Sequence, residues 1–149
     1  MVVFDAHHAD IAFRLLMATL LGGIIGLERE RHGKDAGLRT YTIVCLGSAL
    51  VMIVSIDLFE MYKGVTTVDP SRIAAQVVSG IGFLGAGAII RFPQGVRGLT
   101  TAAGIWVAAG IGLACGAGQY WPAMVTTVLV LAILVIFSKV DQHLRGKRV

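Results

Sequence analysis

Apolar residues gather in five stretches, Ile11 to Leu27, Tyr41 to Phe59, Ile73 to Ile90, Leu99 to Cys115 and Trp121 to Phe137, and most charged residues fall in the short segments between them. Each stretch approaches the ~20 apolar residues that a helix rising ~1.5 Å per residue needs to cross a ~30 Å hydrocarbon layer. Those a turn short are accommodated by snorkelling and local thinning. Backbone polar groups in lipid must bond within their own segment, and no ten-residue alternation points to a barrel. The pattern therefore predicts an all-α membrane protein: a polytopic bundle of five transmembrane helices forming one domain over residues 1–149.

Lys and Arg set the orientation. Arg29, Arg31, Lys34 and Arg39 follow the first stretch, Arg91 and Arg97 follow the third, and Lys139, Arg145, Lys147 and Arg148 follow the fifth. Lys63 and Arg72 are left on the other side, with Arg14 inside the first span. The positive-inside rule then puts the N-terminus outside and the C-terminus in the cytoplasm. The first stretch reads as a retained span, because acidic and His residues precede it and no small-residue cleavage site follows.

With 149 residues, 56% of them hydrophobic, the sequence leaves no room for a separate soluble domain. The formal charge of +4 sits in loops and tail, where anionic lipid headgroups are the natural partner and no folded basic surface suits nucleic acid. Cys45 and Cys115 lie inside spans, where thiols act as small buried hydrophobes, and two cysteines do not imply a disulfide. His7, His8, His32 and His143 lack ligand spacing, so no zinc site or cofactor is expected. Asp69-Pro70-Ser71 reads as a helix start, with Asp69 or Ser71 as cap.

Many of the 19 glycines lie within spans. Small residues at four-residue spacing mark close helix contacts in lipid, as at Gly22 with Gly26, Gly82 with Ala86, and Ala108 with Gly112 and Gly116. Spans one, three and four are thus expected to form the packed centre, with Gly80, Gly82, Gly85 and Gly87 as a packing element, and span five to face lipid. Gly80-Ile-Gly82-Phe-Leu-Gly85 fits a dinucleotide-binding fingerprint, but it lies mid-span and not at a strand-to-helix turn. Close packing is the favoured reading, and a broken helix exposing carbonyls to an ion is the alternative.

An ionised side chain costs roughly 2.5 to 3.5 kcal/mol at a bilayer centre, and less near an end. Arg14 and Asp57 lie within a turn of the outer boundary, at similar depth if spans one and two form a hairpin; they either pair or snorkel independently. On the inner side, Glu28 to Arg31 alternates acid and base. This is local helix pairing or part of a network facing Arg91 and Arg97, and the network is preferred.

Gly26-Leu-Glu-Arg-Glu30, Ala36-Gly-Leu-Arg-Thr40, Asp69-Pro-Ser-Arg-Ile-Ala-Ala-Gln76, Gly80-Ile-Gly-Phe-Leu-Gly-Ala-Gly87 and Val96-Arg-Gly-Leu-Thr-Thr-Ala-Ala103 occur in this order. Together, from about Arg14 to Phe137, they resemble the membrane domain of the MgtC/SapB family. Many members of that family continue into a cytoplasmic ACT-like domain, and this sequence reads as a short member without it. The resemblance implies a bacterial inner-membrane protein, not an enzyme, linked to growth at low Mg²⁺ and, in pathogens, to survival inside macrophages. It implies either magnesium transport or regulation of other membrane proteins, the F-type ATP synthase among them. The positions carried over are Glu28, Arg29, Glu30, Arg39, Asp69, Arg72, Gln76 and Arg97.

Mg²⁺ demands octahedral oxygen ligation and sheds water reluctantly, so a conduction path should present several acids within the membrane. Glu28 and Glu30 at one mouth and Asp57 and Asp69 at the other are the only candidates, with Gln76 as the sole expected buried amide. A homo-oligomeric regulator whose charged cytoplasmic face meets lipid or a partner protein is therefore preferred. A Mg²⁺ or other cation transporter, its acids assembled into rings by an oligomer, is the alternative. A lipid-metabolising enzyme, which would use Asp69 or Glu28 as base, lacks a nucleophile or metal pattern and ranks last.

Overall fold

The computed structural model describes residues 6–65, 69–93 and 95–146, the last six by backbone alone. Lys147, Arg148 and the side chains of His143 and Arg145 lie outside the described residues. The elements in order are α1 (Ala6–Arg31), α2 (Leu38–Tyr62), α3 (Pro70–Gly87), a hairpin of β1 (Ile90–Phe92) and β2 (Gly95–Arg97), α4 (Leu99–Gly116) and α5 (Tyr120–Gly146). Four helices are long and apolar enough to cross a membrane: α1, α2, α4, and α5 as far as Val140. The third expected span is a helix but not one of these four, because Arg72, Gln76, Ser79 and its glycines dilute the apolar run.

That span also ends earlier than its apolar residues suggest. Ile90 belongs to the antiparallel hairpin, whose register pairs Ile90 with Arg97, Arg91 with Val96 and Phe92 with Gly95. Pro93 has no N–H to extend a helix, and Gly95 and Gly98 take positive φ of 145° and 88°. A side chain at Gly98 would run into the Ala88 carbonyl, so the hairpin can close against the end of α3 only with glycine there. The helix α3 is itself unbroken from Pro70 to Gly87, which removes the broken-span alternative.

The packed centre is α1, α2 and α4, with α2 in the middle, and not spans one, three and four. A Cβ on Gly22 would lie 2.6 Å from the Cys45 Cβ, and one on Gly26 would lie 2.7 Å from the Leu38 Cα. On the other side of α2, Gly112 faces the Cys45 carbonyl and Gly116 the Ala49 carbonyl, both too close for any side chain. Tyr41, Cys45 and Ala49 are fully buried between these two glycine-lined faces. Dispersion contacts at such short range, and not water release, hold helices together in lipid.

The glycines of α3 do not share this role. Gly80, Gly82 and Gly87 have open space where a Cβ would go, and Gly85 makes only ordinary contact with Ala102. The helix is fixed at its start by the Ser55 hydroxyl, which donates to the Pro70 carbonyl at 2.5 Å, and along one flank by buried Ile81 and Gly85. The expected outward face of α5 is present, with Val128, Leu129, Ile133, Ile136 and Phe137 exposed.

Candidate functional site

The α1–α2 loop and the β-hairpin share one end of the bundle, since Tyr41 in the second turn of α2 donates its hydroxyl to the Thr101 carbonyl in the first turn of α4 at 3.3 Å. Adjacent residues on a helix do not face one another, yet the Arg29 side chain folds back over Glu28. Its Nε lies 2.5 Å from Glu28 Oε2 and its Nη2 2.9 Å from Oε1, a two-pronged pair with Arg29 only 3% exposed. His32 Nδ1, one turn on, stands 3.1 Å from Glu28 Oε1. A buried guanidinium is tolerable only because this carboxylate accompanies it.

Glu30 has a different task. Its Oε2 accepts the Leu38 N–H at 2.8 Å, satisfying a free donor in the first turn of α2 and placing negative charge at that helix's N-terminus. The N-cap Gly37 supplies no side chain, and a Cβ there would meet Glu30 Oε2 at 2.7 Å. Two of the three acids of this loop are thus engaged by groups of the chain itself. Arg31, Lys34, Arg39, Arg91, Arg97 and Lys139 remain exposed and make no ion pair among the described residues. The Arg97 guanidinium sits over the Phe92 ring at 5.4 Å, which stiffens the hairpin without neutralising the charge.

The opposite end holds a second group of polar side chains. Arg14 pairs with Asp10, one turn before it, at 2.7 Å, and not with Asp57. It also donates from Nη1 to the Gly116 carbonyl at 2.8 Å, capping the C-terminus of α4 where positive charge is favoured. The spacing of Asp10 and Arg14 is a standard helix pair that sequence reasoning passed over. Asp57 lies on the wall of a cleft of about 470 Å³ between α1 and α2, with His7, Asp10, Arg14 and Glu60. Among the described residues no three His, Cys, Asp or Glu side chains converge closely enough to hold a metal ion.

The positions singled out from sequence therefore do not form one site. Glu28, Arg29, Glu30, Arg39 and Arg97 gather at the hairpin end. Asp69 and Arg72 lie at the opposite end, and Gln76, expected to be buried, is exposed on α3. Asp69 caps α3: its Oδ1 accepts the Ser71 hydroxyl at 2.7 Å and the Ser71 N–H at 2.8 Å. Those two bonds, helped by Arg72, hold its carboxyl below the usual carboxylate range.

The sequence profile of the MgtC family matches residues 15–143, from within α1 to the last turn of α5. The chain belongs to the MgtC family. It is 46% identical over 141 residues to the putative magnesium transporter YhiD of Escherichia coli K12, an alignment covering 93% of this chain and 66% of YhiD. It is 45% identical over 131 residues to the protein MgtC of Salmonella typhimurium, covering 87% of this chain and 53% of that protein. An uncharacterized Haemophilus influenzae protein is 42% identical over 149 residues, covering 97% and 63%. The chain thus spans between about half and two thirds of the length of these curated relatives. No solved structure matches it. Family membership and the four apolar helices together mark a membrane protein.

Proposed function

We propose that this MgtC-family chain is a non-enzymatic protein of the bacterial inner membrane that crosses it five times, N-terminus outside, and regulates other membrane proteins through its hairpin end. The observation that carries the reading is the division of charge there. Glu28 and Glu30 are engaged within the protein, while Arg31, Lys34, Arg39, Arg91, Arg97 and Lys139 point outward. Such an end, placed in the cytoplasm by the positive-inside rule, suits acidic partner surfaces and anionic headgroups. Adaptation to scarce Mg²⁺ and restraint of the F-type ATP synthase are the setting that the family resemblance supplies.

The test is co-reconstitution with F-type ATP synthase in liposomes, reading ATP-driven proton uptake. Uptake should fall when the chain is present, and Arg39→Gln with Arg97→Gln should relieve the effect while the helices stay folded. Unchanged uptake at saturating chain would remove the ATP synthase from the proposal.

A second reading is favoured by the cleft whose wall carries Asp10, Asp57 and Glu60 at the opposite end, and by the name of the YhiD relative. In it the cleft is the entry of a magnesium path. Mg²⁺ flux into dye-loaded proteoliposomes, abolished by Asp57→Asn, would establish it in place of the regulator.

A further inference from the structure

We propose that the uncovered face of α3 is the seam of a parallel homodimer. The proposal rests on α3 lying in the membrane, as under the proposed topology.

Ile73, Gln76, Gly80, Phe83 and Gly87 recur at alternating steps of three and four residues, and all five are exposed. Alternating three- and four-residue steps on a helix make a left-handed coiled-coil seam, one face that stays against a partner helix over its whole length. The flank of α3 that touches α4 holds Ile81 and Gly85 and lies elsewhere on the helix. Lipid suits this face badly. The Gln76 amide makes no hydrogen bond among the described residues, and in hydrocarbon an unbonded amide is costly. Gly80 and Gly87 present bare backbone, and Phe83 projects between them with 82% of its surface free.

The face is complementary to itself. An amide both donates and accepts, so Gln76 can bond its own copy across a two-fold axis. Phe83 is a knob flanked on its own face by Gly80 and Gly87, whose open space is the hole for the partner's Phe83. Asp69 and Arg72 carry opposite charges one turn apart at the same end, and an isologous contact sets each Arg72 beside the partner's Asp69. Two copies inserted with the same orientation about an axis along the membrane normal meet with their α3 helices parallel, the arrangement that aligns all three features. The seam is continuous with the hairpin end, so pairing also brings two sets of Arg91 and Arg97 side by side.

The test uses the whole chain in native membranes, with single substitutions Gln76→Cys, Gly80→Cys, Phe83→Cys and Gly87→Cys on the seam and Gly82→Cys and Val128→Cys off it. Copper-phenanthroline with dissolved oxygen serves as oxidant. Native Cys45 and Cys115 are fully buried, so the unsubstituted chain gives the baseline. The seam positions should give a band at twice the chain mass, at least about fivefold stronger than the off-seam positions. In liposomes, Gln76→Leu should weaken energy transfer between labelled copies by about fivefold in apparent affinity, the range of an interhelical polar contact in lipid. Maleimide protection of Cys45 and Cys115 reports that each variant is folded.

Seam yields no higher than at Val128→Cys, with the buried thiols still protected, would overturn the proposal. So would cross-links at the seam only to a protein of different mass. If Phe83→Cys reacts with a membrane-impermeant maleimide as fast as a cysteine in an aqueous loop, α3 lies outside the membrane and the proposed topology fails with the pairing; a shielded Phe83→Cys with no seam cross-link refutes the pairing alone.

Discussion

The Tyr41 hydroxyl occupies the space that a side chain at Gly104 would need: a Cβ built there would lie 2.3 Å from the oxygen. The ring is fully buried, so it cannot swing away. Gly104→Ala should therefore destabilise the bundle by about 1–3 kcal/mol, the usual cost of overpacking. Adding Tyr41→Phe removes the oxygen and should recover part of that loss, although it also gives up the bond to Thr101. Equilibrium unfolding in micelles reads the effect. Simple additivity of the two substitutions would show that the close approach carries no strain.

Gly112 and Gly110 lie two residues apart on α4 and should respond oppositely. At Gly112 the obstruction is the Cys45 backbone carbonyl, which no rotamer change can move, whereas Gly110 faces open space. Gly112→Ala should lower stability by about 2 kcal/mol or more. Gly110→Ala should be neutral or stabilising by up to about 1 kcal/mol, from helix propensity. Thermal unfolding of the two variants side by side is sufficient, and equal responses would contradict the α2–α4 contact.

Removing Glu28 strands the buried Arg29 charge. Glu28→Gln should cost about 3–5 kcal/mol, and replacing both members, Glu28→Gln with Arg29→Met, should restore much of it, because no buried charge is then left without its partner. A double variant as unstable as the single one would mean that the pair is valued for its shape and not its charge balance.

Asp69 gives the pH dependence its sign. Its carboxyl is held below the ordinary value in the folded chain, so the capping contribution is fully present above about pH 4, the range of a free carboxylate, and fades as pH falls through the lower folded value. Hydrogen exchange at the first turn of α3 should be protected equally at pH 7 and pH 5 after correction for intrinsic rates, and should lose protection in stronger acid. Asp69→Asn, which also caps, should remove that acid sensitivity while keeping the helix start.

Helices α1, α2, α4 and α5 were legible because uninterrupted apolar runs of this length have few alternatives. The hairpin was not, since Ile89, Ile90 and Phe92 prolong the apolar count while Pro93, Gly95 and Gly98 decide the backbone. Glycine spacing located true contact faces at Gly22 and Gly26 and at Gly112 and Gly116, and suggested a false one within the chain at Gly80, Gly82 and Gly87. Spacing reveals that a helix face is small, not which neighbour meets it. The central place of α2 escaped notice because that helix supplies the receiving surface, through Cys45, Ser48 and Ala49, and carries no glycine pattern itself. At the opposite end, membrane depth left Arg14 either paired with Asp57 or snorkelling alone, while the one-turn spacing to Asp10 was the stronger constraint. The expected polar network facing Arg91 and Arg97 is absent among the described residues: Glu28 pairs locally with Arg29 and His32, Glu30 serves a backbone N–H of α2, and the two hairpin arginines make no ion pair.

The helices are of unequal reach. Axial lengths of about 39 Å for α1 and about 38 Å for α2 stand beside about 27 Å for α3 and α4. The excess is not apolar: Ile11 to Leu27, Tyr41 to Phe59 and Leu99 to Cys115 differ by at most two residues, and the surplus turn of α1 is Glu28 to Arg31. That turn continues the helix as a rigid stalk and not as a loose loop, so whatever docks on this end meets charges whose places are set before it arrives.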